Sequence, residues 1–141
     1  MTVTRLGKAA FKGCVNLTEV VIPESVTVID DEAFSDCSSL VSIRLPPSLM
    51  ELGECCFAGC VGLKSVVMTS KLTVLPARTF SGCSELSSVI LPDAITEIGE
   101  CAFDGCAALS SINLPDSVTQ IDCEAFCECN RLIYCHSQLC H

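Results

Sequence analysis

Tryptophan is absent from this 141-residue chain and tyrosine occurs once, although half of the residues are hydrophobic. Any core must therefore be aliphatic rather than aromatic. Positive charge is also scarce, with eight Lys and Arg against 17 Asp and Glu, a net charge of −9. That balance argues against nucleic acid and anionic membranes as partners, since both are recognised by basic patches. No apolar run approaches the roughly 18 residues of a membrane span, so direct membrane insertion is not expected. The opening stretch MTVTRLGKAAFKGC lacks the apolar run of roughly 7–15 residues that marks a secretory leader. As written the chain reads as soluble and intracellular; the cell surface fits if it is part of a longer exported protein. A glycine-rich phosphate loop is missing, and both histidines lie in the last six residues, so no enzyme and no cofactor are expected.

Cysteine is abundant instead. Thirteen cysteines would suggest a disulfide scaffold in a small secreted domain. Without a leader, reduced thiols are the expected state, and the odd count leaves at least one thiol unpaired within the chain. Their positions follow a deeper pattern. Phe11, Phe34, Phe57, Phe80, Phe103 and Phe126 are each 23 residues apart. Cys14, Cys37, Cys60, Cys83, Cys106 and Cys129 keep the same step, as do Leu17, Leu40, Leu63, Leu86, Leu109 and Leu132. Three columns of six without an insertion establish an internal repeat.

Each unit has a physical reading. In Leu86–Pro92, Val89 and Leu91 alternate with Ser88 and Ile90, the period-two pattern of a strand with one buried face. Pro92 ends it. Ala94–Ile98 reads as a second extended piece with Ile95 and Ile98 inward, and Gly99 as a turn. Glu100–Cys106 reads as about two turns of helix that persist only by packing Phe103 and Cys106. Such a unit cannot bury its apolar side alone; stacked units can. The expected architecture is a curved, right-handed, β-dominated α/β solenoid of about six rungs. A parallel sheet lies on its concave face and short helical or 3-10 turns on its convex side. One domain spans 1–141, and its first unit is incomplete because Met1 falls at the position of Glu24.

The unit L-x-x-[IV]-x-[IVL]-P-x-x-[VLI]-T-x-I-x-x-x-A-F-x-x-C-x-x-L, clearest over Leu91–Phe126, resembles the BspA-like leucine-rich repeat. The resemblance covers essentially the whole chain. It implies a leucine-rich-repeat solenoid used for protein binding, adhesion or scaffolding rather than catalysis. Met68-Thr69 departs from the apolar–Pro pair of the other units, and no capping segment is recognisable.

The column cysteines read as small apolar fillers, with disulfides between neighbouring rungs as the sharper alternative. Cys101 lies off the column and is expected to face outward. The segment Cys123–His141 is the densest in Cys and His, yet no C-x-x-C occurs and the spacing fits no standard zinc knuckle, so no metal is expected. The binding candidate is the concave strand face: Arg44, Val67, Ile90, Asn113, Tyr134 and His136, beside a run of serines. Val67 and Ile90 form an apolar spot, and Arg and Tyr suit binding hot spots. The plainer reading is that β-branched residues there simply favour strand. An acidic edge (Asp30, Asp31, Glu32, Glu54, Glu97, Glu100, Asp104, Asp122, Glu124, Glu128) either keeps the rod soluble or meets a basic partner. Three functions follow. The first is a non-catalytic protein-binding or scaffold module. The second is a structural subunit held in a larger assembly, or to a copy of itself, by its uncapped ends. The third is a zinc- or redox-responsive thiol protein.

Overall fold

The computed structural model describes residues 2–133. Alternating residues and the fixed 23-residue step produce short strands that recur once or twice per unit: β1 (Arg5–Leu6), β2 (Val28–Ile29), β3 (Ser42–Leu45), β4 (Glu51–Leu52), β5 (Ser65–Met68), β6 (Val74–Leu75), β7 (Ser88–Ile90), β8 (Glu97–Ile98) and β9 (Gln120–Ile121). All pairing is parallel, in sheets ordered β1-β2-β4, β3-β5-β7 and β6-β8-β9. The register is the sequence repeat itself: Arg44 pairs with Val67 and Val67 with Ile90, each one unit on. The result is a β-solenoid of about five turns.

Its interior is a set of columns. Ile43, Val66 and Val89 line one sheet; Ile29, Leu52, Leu75 and Ile98 line the other. The phenylalanines close the third side as a continuous offset stack, with ring centroids 5.2–5.6 Å apart and neighbouring planes within 19° of parallel. The four inner rings are fully buried; Phe11 and Phe126 at the ends are only partly so.

The helical or 3-10 turns expected on the outer side do not form. Two residues per unit, four positions apart, take a left-handed backbone: Ala9, Glu32, Cys55, Arg78, Cys101 and Glu124 in one column; Gly13, Asp36, Gly59, Gly82, Gly105 and Glu128 in the other. A left-handed residue every fourth position interrupts any helix. It also turns alternate N–H groups along the stack. Phe34 N–H donates to the Cys56 carbonyl, Phe57 to Thr79 and Phe80 to Ala102, each at 2.8–2.9 Å, while the intervening residues close tight turns onto the carbonyl three residues back. A helix would direct all these donors along its own axis; the arc uses half of them to bind rung to rung. Gly99 also differs from its expected role, since its φ is not left-handed. A Cβ there would lie 2.7 Å from the Ala77 backbone nitrogen, so glycine is needed for close approach between rungs.

The fourth unit is irregular for reasons visible in its residues. In the other units a proline carbonyl after the first strand accepts the N–H three residues on, as in Val26→Pro23 and Leu49→Pro46. Thr69 replaces that proline, the equivalent bond from Leu72 is missing, and the Thr69 hydroxyl donates instead to the Leu45 carbonyl at 3.2 Å. Ser25, Ser48 and Ser117 bind carbonyls one rung away, but Lys71 occupies that column here. Pro76 stands where Gly53 and Gly99 donate N–H bonds to the preceding rung, and it has no N–H to give. The second sheet is accordingly broken between β4 and β6.

Truncating the middle of the stack should cost more than truncating its end. Phe57→Ala is expected to lose about 3–5 kcal/mol, and Phe11→Ala clearly less, in urea titrations followed by circular dichroism.

Candidate functional site

The pleat of β3, β5 and β7 turns Ile43, Val66 and Val89 inward and leaves Ser42, Arg44, Ser88 and Ile90 exposed. Ile90 keeps 54% of its surface in solvent, and Val21, one unit before Arg44, keeps 86%. Arg44, Val67 and Ile90 therefore sit side by side, strand pairing fixing their spacing. Asn113 is exposed and in line with them, but the strand ladder ends at β7, so it lies beyond the sheet. Tyr134 and His136 lie outside the described residues.

A feature that residue columns did not reveal adjoins Ile90. Met68, Thr69, Ser70, Lys71, Leu91, Asp93 and Ala94 line a recess of about 380 Å³ with Ile90 on its wall. It occurs where the Pro-turn bond and the serine bridge are both missing. The Ser70 hydroxyl beside it is buried and has no hydrogen-bond partner among the described residues. Met68-Thr69 was the only signal in the sequence. The recess brings an ammonium and a carboxylate to the margin of the apolar spot.

The acidic edge is partly compensated at one end. Arg5 holds Asp30 through two bonds of 2.8 and 3.0 Å, and Lys12 Nζ lies 2.5 Å from Glu32. The hydrogen bond from Lys12, then its charge, lowers the Glu32 carboxyl below its ordinary value. Further along, Asp31, Glu54, Glu97, Glu100 and Asp122 flank a shallow groove of about 480 Å³ that opens over Pro76, at the break in the second sheet.

The cysteine column has a role that packing alone does not describe. Each thiol donates to the carbonyl of the phenylalanine 26 residues earlier: Cys37 to Phe11, Cys60 to Phe34, Cys83 to Phe57 and Cys129 to Phe103 at 3.1 Å, and Cys106 to Phe80 at 3.3 Å. All cysteines among the described residues are free thiols. Burial pushes Cys56 and Cys60 up to about 12, and Cys83 and Cys106 well up too, so these thiols are poor nucleophiles. Cys101 does not face outward as expected: it is 5% exposed, its Sγ 3.9 Å from a Glu124 carboxylate oxygen. Among the described residues the exposed thiols are Cys123 and Cys127. No grouping of three or more metal-binding side chains occurs among the described residues, and Cys135, His136, Cys140 and His141 lie outside them.

A sequence profile described as the BspA type leucine rich repeat region matches residues 4–133 in six copies. The chain belongs to the BspA-type leucine-rich-repeat family. Its structure is similar to a leucine-rich-repeat protein of T. pallidum (TM-score 0.79, 32% identity, 92% of this chain and 72% of that one). It is also similar to a leucine-rich-repeat protein of Bacteroides ovatus (TM-score 0.76, 31% identity, 92% of this chain and 39% of that one). A likeness to a leucine-rich cell surface protein of Faecalibacterium prausnitzii, at 22% identity and TM-score 0.50, concerns the fold alone. The chain spans 39% of the length of the Bacteroides protein. Comparison with curated proteins gives no match. BspA-type repeats are in general non-enzymatic scaffolds, and no catalytic family is indicated for this chain. Among the described residues no helix is long and apolar enough to cross a membrane.

Two measurements check the thiol assignments. An aromatic disulfide reagent on the native protein should modify Cys123 and Cys127 well before Cys101, as read by peptide mass mapping. Because a raised thiol pKa favours the folded state fully below the unfolded value, near 9, that stabilisation should fade as pH climbs toward 12. The melting temperature should drop across this window, and less steeply in Cys60→Ala.

Proposed function

We propose that the chain is a non-catalytic protein-binding module whose contact surface is the exposed face of β3, β5 and β7. We read this face as the concave side of a right-handed curved stack, since strands occupy less width than the arcs opposite them. The observation that carries the reading is the juxtaposition of Arg44, Val67 and Ile90 on a rigid ladder. Rigid backbones lose little entropy on binding, and an apolar spot with a guanidinium at its margin suits a binding hot spot. The recess with Lys71 and Asp93 gives an apolar partner side chain a place to enter and polar groups to orient it. The use of leucine-rich repeats as interaction modules agrees with this surface. Asn113 extends it in line, and Tyr134 and His136 follow in sequence.

The decisive experiment is capture from the native source on immobilised protein. The double variant Arg44→Glu/Ile90→Asp should retain its melting temperature and lose the captured protein. Once that protein is purified, Ile90→Asp alone should raise Kd by roughly thirtyfold, about 2 kcal/mol. Undiminished capture by the double variant would refute the assignment.

A further inference from the structure

The fourth unit leaves its first strand differently from its neighbours. In the flanking rungs Pro46 and Pro92 are buried, and the residues after them, Pro47 and Asp93, are exposed. In the fourth rung the order is reversed: Thr69 is exposed and Ser70 is buried, with 7% of its surface in solvent. Thr69 lacks the ring that fixes a proline's φ, which frees the turn to roll by one residue. The roll carries a hydroxyl inward. Among the described residues the Ser70 Oγ has no hydrogen-bond partner. A buried hydroxyl without a partner is costly, and one that persists in a fold calls for a reason.

Ser70 lines the recess of about 380 Å³ beside Ile90. Two other kinds of group share that lining. Lys71 and Asp93 bring one ammonium and one carboxylate, and neither forms an ion pair among the described residues. Met68, Ile90 and Leu91 supply an apolar wall. The Leu72 N–H, next along from Lys71, has no proline carbonyl to bind, unlike those of Val26, Leu49, Ile95 and Val118. The recess thus combines donors on Ser70 and Lys71, an acceptor on Asp93 and an apolar surface between rungs.

Charge narrows the occupant. A phosphate group carries about two negative charges, and it would face Asp93 on a chain of net charge −9. A cation would face Lys71. A single carboxylate suits one ammonium and one hydroxyl, provided that an N–H lies beside it for Asp93. The last residue of a polypeptide carries all of these on one carbon: the carboxylate, the amide nitrogen and a side chain. An Asp or Glu side chain within a chain offers the carboxylate without the apolar group. Capture of a terminal carboxylate by clustered donors is a recurring mode of peptide recognition. We propose that the recess receives the free C-terminal residue of a protein partner, an apolar residue whose carboxylate meets Lys71 and Ser70 and whose amide N–H meets Asp93. This rests on the strand face as the binding surface and names the part of the partner that enters it.

Nuclear magnetic resonance titration of the reduced 141-residue chain provides the test. The probe is acetyl-Gly-Gly-Leu with a free carboxylate, compared with its C-terminal amide and with free leucine. The acid should shift the signals of Ser70, Lys71, Ile90 and Ala94. The amide should bind about tenfold more weakly, because it loses a charge-assisted hydrogen bond. Lys71→Met should impose a similar loss on the acid, and Lys71→Arg should recover most of it. Ser70→Ala should weaken binding of the acid severalfold while raising the melting temperature, since it deletes the unpaired hydroxyl. A serine with a purely structural part in the turn would not alter affinity. Equal binding of acid and amide, indifference to Lys71→Met, tighter binding of free leucine than of the peptide, or no shifts at about 10 mM peptide would each overturn the proposal. If Lys71→Met still captures the native partner that Arg44→Glu/Ile90→Asp loses, the face stands and the recess falls. Undiminished capture by the double variant removes both.

Discussion

Everything in this structure depends on the ladder that joins each rung to the next at a constant step of 23 residues. The phenylalanine stack is its clearest expression. Rings 5.2–5.6 Å apart can stay nearly parallel only if every unit has the same length and every arc the same shape. The arc is held to that shape by alternate N–H donors that reach across rungs, and the thiol column ties each rung to the phenylalanine carbonyl of the one before. One inserted residue would break all three sets of contacts at once. Stability is thus nearly one-dimensional, the sum of rung and interface terms.

Against that regularity, the fourth unit stands out as a seam. Thr69 and Pro76 each remove a hydrogen bond that the other units make, and Lys71 removes the serine bridge made by Ser25, Ser48 and Ser117. The losses fall at the recess beside Ile90 on one side and at the acidic groove over Pro76 on the other. Weak local pairing and surface concavity therefore coincide, because a bond left unmade between rungs also leaves space between them. The seam runs next to the strand face and gives an otherwise flat ladder a place with shape.

The thiols illustrate how abundance can mislead. Thirteen cysteines invite a metal or redox reading, yet burial holds Cys60, Cys83 and Cys106 protonated, and their hydrogen bonds are to main-chain carbonyls. Charge tells the opposite story: a net −9 conceals a basic stretch, Arg5, Lys8 and Lys12, that precedes the first acidic residue, Glu19.

The repeat, the inward columns, the parallel register and the outward position of Arg44, Val67 and Ile90 were all legible in the sequence, because constant spacing and period-two alternation are one-dimensional properties that stacking preserves. Helical arcs were the wrong reading of Glu100–Cys106: helix and left-handed turn bury Phe103 and Cys106 equally well, and only the competition for N–H donors between rungs favours the turn. The position of Cys101 shares that cause, since it occupies one of the left-handed sites. The recess with Lys71 and Asp93 was not legible either, because it is made by bonds missing between residues that neighbouring rungs bring together. The sequence by itself determined which residues repeat and which face inward. The tertiary structure decided how the backbone turns between strands and where the stack opens, because both depend on hydrogen bonds between units that lie a full repeat apart.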